Sequence, residues 1–290
     1  ELLAVRNPED FRDLDRSCRG LKAIRCERYG KLIFVNFDPD APSLQDWLGP
    51  IAEEWQEFRF DQCRLSTRAI FDINFNWKIA LEANTEVYHV PSIHPRTIAP
   101  VLDPRRNVNT LYPYGHGRMV APIPQLPDTG EAEHPTWQSR RREIESAGEI
   151  ARTCTQSYNL FPNFVAPLNQ YALPPLLIWP NGIDRCRIET WTMAPDWGSG
   201  DGPDMWTDNR GERLSQVLLE DTAMGEAVQA SIQSPAFTGI PLSYQEARIY
   251  HWHQAADRLI GVDRVPPDLQ VTQAIGQEWI HPNDPRLAGF

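Results

Sequence analysis

The sequence predicts an α+β domain in which an antiparallel sheet wraps around helices. Strand-like segments flank an early helical stretch, turn signals rather than long crossovers separate the segments between 155 and 195, and two long helical patterns close the chain. With 290 residues there is ample chain for a sizeable core.

Taken in order, "LKAIRCERYGKLIFVNFD" (21–38) reads as a hairpin around Tyr29-Gly30. "SLQDWLGPIAEEWQEF" (43–58) reads as a helix capped by Ser43, with Trp47, Leu48, Ile51 and Trp55 on its apolar side. A strand over 63–75 and a helix over 76–89 follow. Residues 95–150 are rich in proline and poor in periodic apolar positions; they read as a long excursion carrying one helix over 134–153. Strands are expected over 155–168, 170–182 and 185–195, the last two joined at Pro180-Asn181-Gly182. Helices are expected over 210–234 and 242–261, the second stopping at Gly261.

Composition excludes several classes. The net charge of −11 argues against a general nucleic-acid binder, and the one basic cluster, Ser139 to Glu143, reads as a solvated helix face. No apolar run is long enough to span a membrane, and the first residues are too charged for a signal peptide. Cys18, Cys26, Cys63, Cys154 and Cys186 are odd in number and widely spaced, which fits reduced thiols in the cytoplasm better than a disulfide framework. The chain opens inside an apolar run without an initiator methionine, which suggests further sequence upstream.

The chemistry concentrates in "EVYHVPSIHP" (86–95). On a helix over 76–89, Glu82, Glu86 and His89 share one face. His94, five residues past His89, would point about 140° away on a continuous helix. Pro91 is expected to end that helix and let the chain bring His94 back toward His89. Two imidazoles leave a divalent metal short of a carboxylate. In the helix over 210–234 an apolar stripe runs through Leu214, Val217, Leu218, Met224, Val228 and Ile232, and Asp221 interrupts it. A buried ionised aspartate needs a cation, either a metal on His89 and His94 or an arginine such as Arg213 or Arg248. Glu220 is the second choice, on another side of the helix. Two histidines, one carboxylate and open positions make the pattern of non-haem Fe(II) oxygen-activating sites, although spacing alone does not select iron.

The stretch "NWKIALEANTEVYHVPSIH" resembles the catalytic-domain signature of Rieske-type non-haem iron oxygenases, the α subunits of ring-hydroxylating oxygenases. Asn76, Trp77, Lys78, Glu82, Glu86, Tyr88, His89 and His94 match it. "LLEDTAMGEAVQASIQSPAF" resembles the later segment and puts Asp221 on the third iron ligand, with Gln229 and Ser234 in register. "LFPN" and "IETWTMAP" resemble family sheet segments. The resemblance implies a helix-grip fold, a curved antiparallel sheet around a long C-terminal helix, and a mononuclear Fe(II) on His89, His94 and Asp221. It implies O2 and a small organic substrate, commonly aromatic, with quaternary ammonium compounds as the rival class. It further implies a homotrimer, electrons from a reductase or ferredoxin drawing on NAD(P)H, and Glu86 as the bridge that carries them across a subunit boundary. Ala83 departs from the asparagine frequent at its position.

The resemblance also implies a Rieske [2Fe–2S] cluster, yet the C-x-H and C-x-x-H pairs that hold one do not occur here. Residues 1–40 are therefore expected to follow a missing N-terminal Rieske domain, with the catalytic iron domain over 41–290. Two other readings remain open: a helix-grip protein that only binds ligands, and a zinc hydrolase using the same histidines with Glu86 as base. His251 and His253, two apart on a helix, face different ways and read as packing or surface residues. His116 lies in a stretch expected to be flexible, either touching substrate or serving as an ordinary loop histidine.

Overall fold

The computed structural model describes residues 2–124, 143–171, 173–196 and 210–281, with side chains of the long helix from 217 onward. Its centre is a seven-stranded antiparallel sheet in the order β3-β9-β8-β7-β6-β5-β4. The strands are β3 (Cys63–Ile73), β4 (Val108–Leu111), β5 (Gly117–Pro122), β6 (Cys154–Leu160), β7 (Phe164–Leu168), β8 (Leu176–Pro180) and β9 (Cys186–Pro195).

A separate hairpin, β1 (Arg25–Tyr29) and β2 (Leu32–Asn36), turns where the sequence predicts. Gly30 is required there: its φ is 55°, and a Cβ would come within 2.5 Å of the Phe60 carbonyl carbon. The helix expected over 43–58 is divided. Ser43 does cap α1 (Leu44–Leu48), accepting the Asp46 N–H at 3.1 Å. Gly49, at φ 54°, and Pro50 then end it, and α2 (Ile51–Glu54) runs into a 3-10 turn over Trp55–Phe58. Leu48, Ile51 and Trp55 are buried as expected, and with Phe58 they cover one face of the sheet through Tyr158, Leu160 and Ala166.

The opposite face carries helices α3 (Trp77–Ala83), α6 (Arg210–Ile232) and α7 (Ala247–Ile260). The period-2 alternation of the strands sends Val165, Ile178 and Ile188 to this side, where they meet Trp252 of α7 and Leu218 of α6. α7 begins at a Ser243/Glu246 capping box and ends at Gly261, φ 96°. The result is the helix-grip arrangement, with a C-terminal helix held against the antiparallel sheet.

Four expectations need correction. The strand over 155–168 is two strands, β6 and β7, turning at Phe161-Pro162-Asn163, so that Leu160 pairs back onto Phe164. The excursion over 95–150 contains β4 and β5, which extend the sheet. They were too short, and too interrupted by Gly and Pro, to show a period. Of the helix over 134–153, only α5 (Glu149–Thr153) is helical among described residues; 125–142, with most of the basic cluster, lie outside them. Finally, the stripe on α6 is buried at Leu218, but Met224 and Val228 are exposed, since the helix seats on its neighbours through Leu218 and Gly225. Leu214 lies outside the residues whose side chains are described.

Candidate metal centre

The helix expected over 76–89 stops at Ala83, with Asn84 as its C-cap. Pro91 does not end it. Pro91 sits in the first turn of a new short helix, α4 (Val90–Ile93), where its missing N–H costs nothing. His89 and His94 therefore flank one helical turn, closed by the His94 N–H on the Val90 carbonyl at 2.9 Å. The shared face of Glu82, Glu86 and His89 does not exist. Glu82 instead accepts from His253 Nε2 at 2.8 Å, while Glu86 turns back onto His89.

Asp221 arrives from α6, whose register is fixed one and two turns further on. At Gly225 a Cβ would lie 2.1 Å from the Phe75 ring, so the helix seats directly on that ring. Gln229 Oε1 accepts the Asn76 N–H at 2.8 Å, and Asn76 Oδ1 caps α3 by accepting the Lys78 N–H at 2.9 Å. Asp221, Gly225 and Gln229 are spaced i, i+4, i+8 and lie on one face.

One donor atom each from His89, His94 and Asp221 lies within 4.8 Å of the others. Asp221 Oδ1 is 2.7 Å from His94 Nε2 and 3.4 Å from His89 Nε2, and the imidazole centroids are 5.1 Å apart at 73°. The outward nitrogens are also engaged. His89 Nδ1 meets Glu86 Oε1, and His94 Nδ1 meets Glu220 Oε2 at 2.7 Å, where Thr97 Oγ1 also donates at 2.6 Å. Glu86 Oε2 accepts the N–H groups of Tyr88 and His89.

This set answers whether the residues fit a metal. A carboxylate on each Nδ1 places the proton there and turns each Nε2 lone pair toward Asp221. Two lone pairs facing a carboxylate oxygen repel unless a cation joins them: a proton on each imidazole, or a metal ion. In the metal-free protein the surrounding carboxylates favour the protonated form of both imidazoles. Burial lowers the His89 pKa, but hydrogen bonds to Asp221 and Glu86 outweigh it and raise it to about 9. His94 is likewise raised, burial being outweighed by Asp221 and Glu220. For Asp221, burial raises the pKa, but both histidines outweigh it and hold it below the usual carboxylate value.

Glu220 does not point elsewhere. It supports the nitrogen of His94 that Asp221 leaves free. Consecutive residues on a helix differ by about 100°, enough for the acidic pair to reach both sides of one imidazole. The Glu-Asp dipeptide was the available signal. Neither arginine offered as partner of Asp221 is seen to pair with it: Arg248 bonds to β6, and the Arg213 side chain lies outside those described. His116 is not an exposed loop residue. It is fully buried, with Nε2 donating to the Trp47 carbonyl at 3.1 Å and Nδ1 accepting the Phe161 N–H at 2.9 Å. His251 and His253 do face apart; His251 Nε2 donates to the buried Tyr112 carbonyl at 2.7 Å. Ser234 Oγ accepts the Ala236 N–H just beyond α6.

Compared with known proteins, residues 53–261 match the family described as ring hydroxylating alpha subunit (catalytic domain). The chain belongs to that family. The family implies a mononuclear iron, and His89, His94 and Asp221 are its candidate site. Among curated relatives, the glycine betaine monooxygenase oxygenase subunit of Pseudomonas aeruginosa is 25% identical over 91 residues, 31% of this chain and 21% of the relative. The anthranilate 1,2-dioxygenase large subunit of Acinetobacter baylyi is 32% identical over 116 residues, 37% of this chain and 24% of the relative. The matches thus span about a quarter or less of those relatives. In fold, the chain is similar to a quaternary ammonium Rieske monooxygenase, at TM-score 0.66 and 17% identity over 88% of this chain and 68% of the other. It is also similar to naphthalene 1,2-dioxygenase from Rhodococcus sp., at TM-score 0.63 and 19% identity over 91% and 72%. Among described residues, no helix is long and apolar enough to cross a membrane.

Proposed function

We propose that this chain is the catalytic domain of the terminal component of a Rieske-type oxygenase, binding one mononuclear Fe(II) on His89, His94 and Asp221. The reaction is hydroxylation or dihydroxylation of a small organic substrate by O2. The supporting observation is the convergence of one donor atom each from His89, His94 and Asp221 within 4.8 Å, with each Nδ1 already held by a carboxylate. Iron, when bound, supplies the one-electron chemistry that O2 activation needs.

The chain's own residues prepare the site. Glu86 and Glu220 fix the tautomer and orientation of the two imidazoles. Asp221 contributes the negative charge that favours a dication over two neutral ligands alone. In this reading Glu86 is also the electron bridge between subunits of a homotrimer, carrying charge from a neighbour's [2Fe–2S] cluster, which a reductase or ferredoxin refills. Its carboxylate has about four acceptor sites, and His89 Nδ1 with the two backbone N–H groups uses three, so one remains for a partner.

Beside Asp221 lies a small, mostly apolar cavity bordered by Phe75, Ile79, Ala83 and Thr222. Ala83 leaves room there that a larger side chain would fill. Among the described residues bordering it, Phe75 is the one aromatic side chain, whereas a quaternary ammonium group would ask for a cage of several. Aromatic hydroxylation is therefore our first reading. Oxidative demethylation of a quaternary ammonium compound is the second, favoured by the likeness to the glycine betaine and carnitine monooxygenase subunits. Turnover under isotope-labelled O2 tests the proposal: label in the product supports an oxygenase, whereas product oxygen drawn from water indicates a hydrolase.

A further inference from the structure

The two candidate ligand histidines are supported in different ways. Glu86 holds His89 Nδ1 from within the same turn, and Oε2 of that carboxylate accepts two backbone N–H groups, those of Tyr88 and His89. Its side chain is 9% exposed. Main-chain donors and burial therefore fix this carboxylate without help from another element.

His94 depends on a carboxylate from elsewhere in the chain. Glu220 stands on α6, and its side chain is 27% exposed, although the imidazole it supports is 1% exposed. Among the described residues its donors are His94 Nδ1 at 2.7 Å and Thr97 Oγ1 at 2.6 Å, both on Oε2. A glutamate has several rotatable bonds to order, and water competes for a partly exposed carboxylate. One hydrogen bond from an imidazole is a loose tether for such a group. The second, from Thr97, makes it a fixed one.

Thr97 is itself placed by His94. The His94 carbonyl accepts the N–H groups of Ile98 at 3.3 Å and Ala99 at 3.0 Å, which winds this stretch into a single turn. The turn brings Thr97 back beside the imidazole, so that both side chains reach one oxygen of Glu220. β-branching restricts the threonine to few rotamers, so its hydroxyl is aimed at small entropic cost. The links form a closed ring: His94 imidazole, Glu220, Thr97 and the His94 main chain. Asp221 follows Glu220 on α6, and its Oδ1 is 2.7 Å from His94 Nε2. The ring thus fixes two candidate ligands relative to each other.

We infer that Thr97 is a positioning residue of the metal centre: its hydroxyl holds Glu220 against His94 Nδ1 and so sets how tightly, and in what geometry, His94 and Asp221 hold a metal ion. The inference rests on the metal-centre reading and adds to it a residue that does not touch the metal.

The test titrates Co(II), a spectroscopic stand-in for Fe(II), into the full chain. Visible absorption reports the geometry of the site, and competition with a chelator reports affinity. Thr97→Val keeps the size and branching of the side chain and removes the donor. It is expected to weaken Co(II) binding about tenfold, the scale of one hydrogen bond to a charged group, and to change the absorption band. Thr97→Ser restores the donor and is expected to keep both near the wild type. In a Glu220→Ala background Thr97→Val should add nothing, because the hydroxyl has lost its acceptor. Thr97→Ala removes the same donor and carries the comparison should the valine variant not fold. A Thr97→Val protein that melts earlier yet binds Co(II) with wild-type affinity and absorption would overturn the inference and leave the metal-centre reading standing. An equal loss with and without Glu220 would overturn it in the same way. A wild-type chain that takes up no Co(II) would overturn both.

Discussion

His94 and Glu220 are joined at 2.7 Å, Nδ1 to Oε2, on the side of the imidazole opposite Asp221. One acidic pair on α6 thus grips both nitrogens of one histidine. Removing the outer carboxylate with Glu220→Ala should lower metal affinity by roughly ten- to a hundredfold without unfolding the chain, the usual effect of losing such a support. Competition with a chelator, beside a circular dichroism spectrum, measures this.

Gly225 sets the seat of α6. Glycine to alanine inside a helix ordinarily stabilises by about 1 kcal/mol. Here the added Cβ would fall 2.1 Å from the Phe75 ring, and overpacking of that kind costs about 1–3 kcal/mol. The clash wins, and Gly225→Ala should lower the urea midpoint. Phe75→Leu in the same chain should recover part of the loss.

Two buried histidines make the fold acid-sensitive. Burial, with the charge of His251, pushes His116 down to about 3, and burial pushes His251 down to about 4. Unfolded, both return to about 6.5. The unfolded chain then binds more protons, so the stability these residues contribute is complete above about pH 6.5 and is lost as pH falls toward their folded values. The urea midpoint of His116→Gln, measured in metal-free protein at about pH 7.5 and about pH 5, should fall less steeply than that of the wild type. Equal slopes would contradict this account.

Asn76 joins the start of α3 to α6. Its side chain caps the helix and donates to the Ile183 carbonyl at 2.7 Å, while its N–H meets Gln229. Asn76→Ala should cost about 1 kcal/mol from the lost cap. A lower thermal midpoint with iron uptake retained is the expected result.

The local signals in the sequence were reliable where chemistry and geometry coincide. Ser43 as a cap, the turn at Gly30, the stop at Gly261 and the buried Leu48-Ile51-Trp55 side all follow from short-range rules. What escaped was tertiary. β4 and β5 are recognisable as strands only through their partners, and Pro91 admitted two roles, ending one helix or starting another. His116 shows the same limit from the other side: a histidine between glycines reads as loop, yet both its ring nitrogens close contacts from distant segments. In the candidate site, His89, His94 and Asp221 were legible from residue type and spacing. The role of Glu220 depended on the rotation of α6, which Gly225 and Gln229 set through contacts far away in sequence.

Anaerobic Fe(II) loading of the wild-type chain beside His89→Ala, with bound metal quantified after desalting, tests the central claim most directly. The account predicts about one iron per wild-type chain and loss of it in the variant. Iron absent from both, or retained equally by both, would contradict the assignment of His89, His94 and Asp221 as the metal centre.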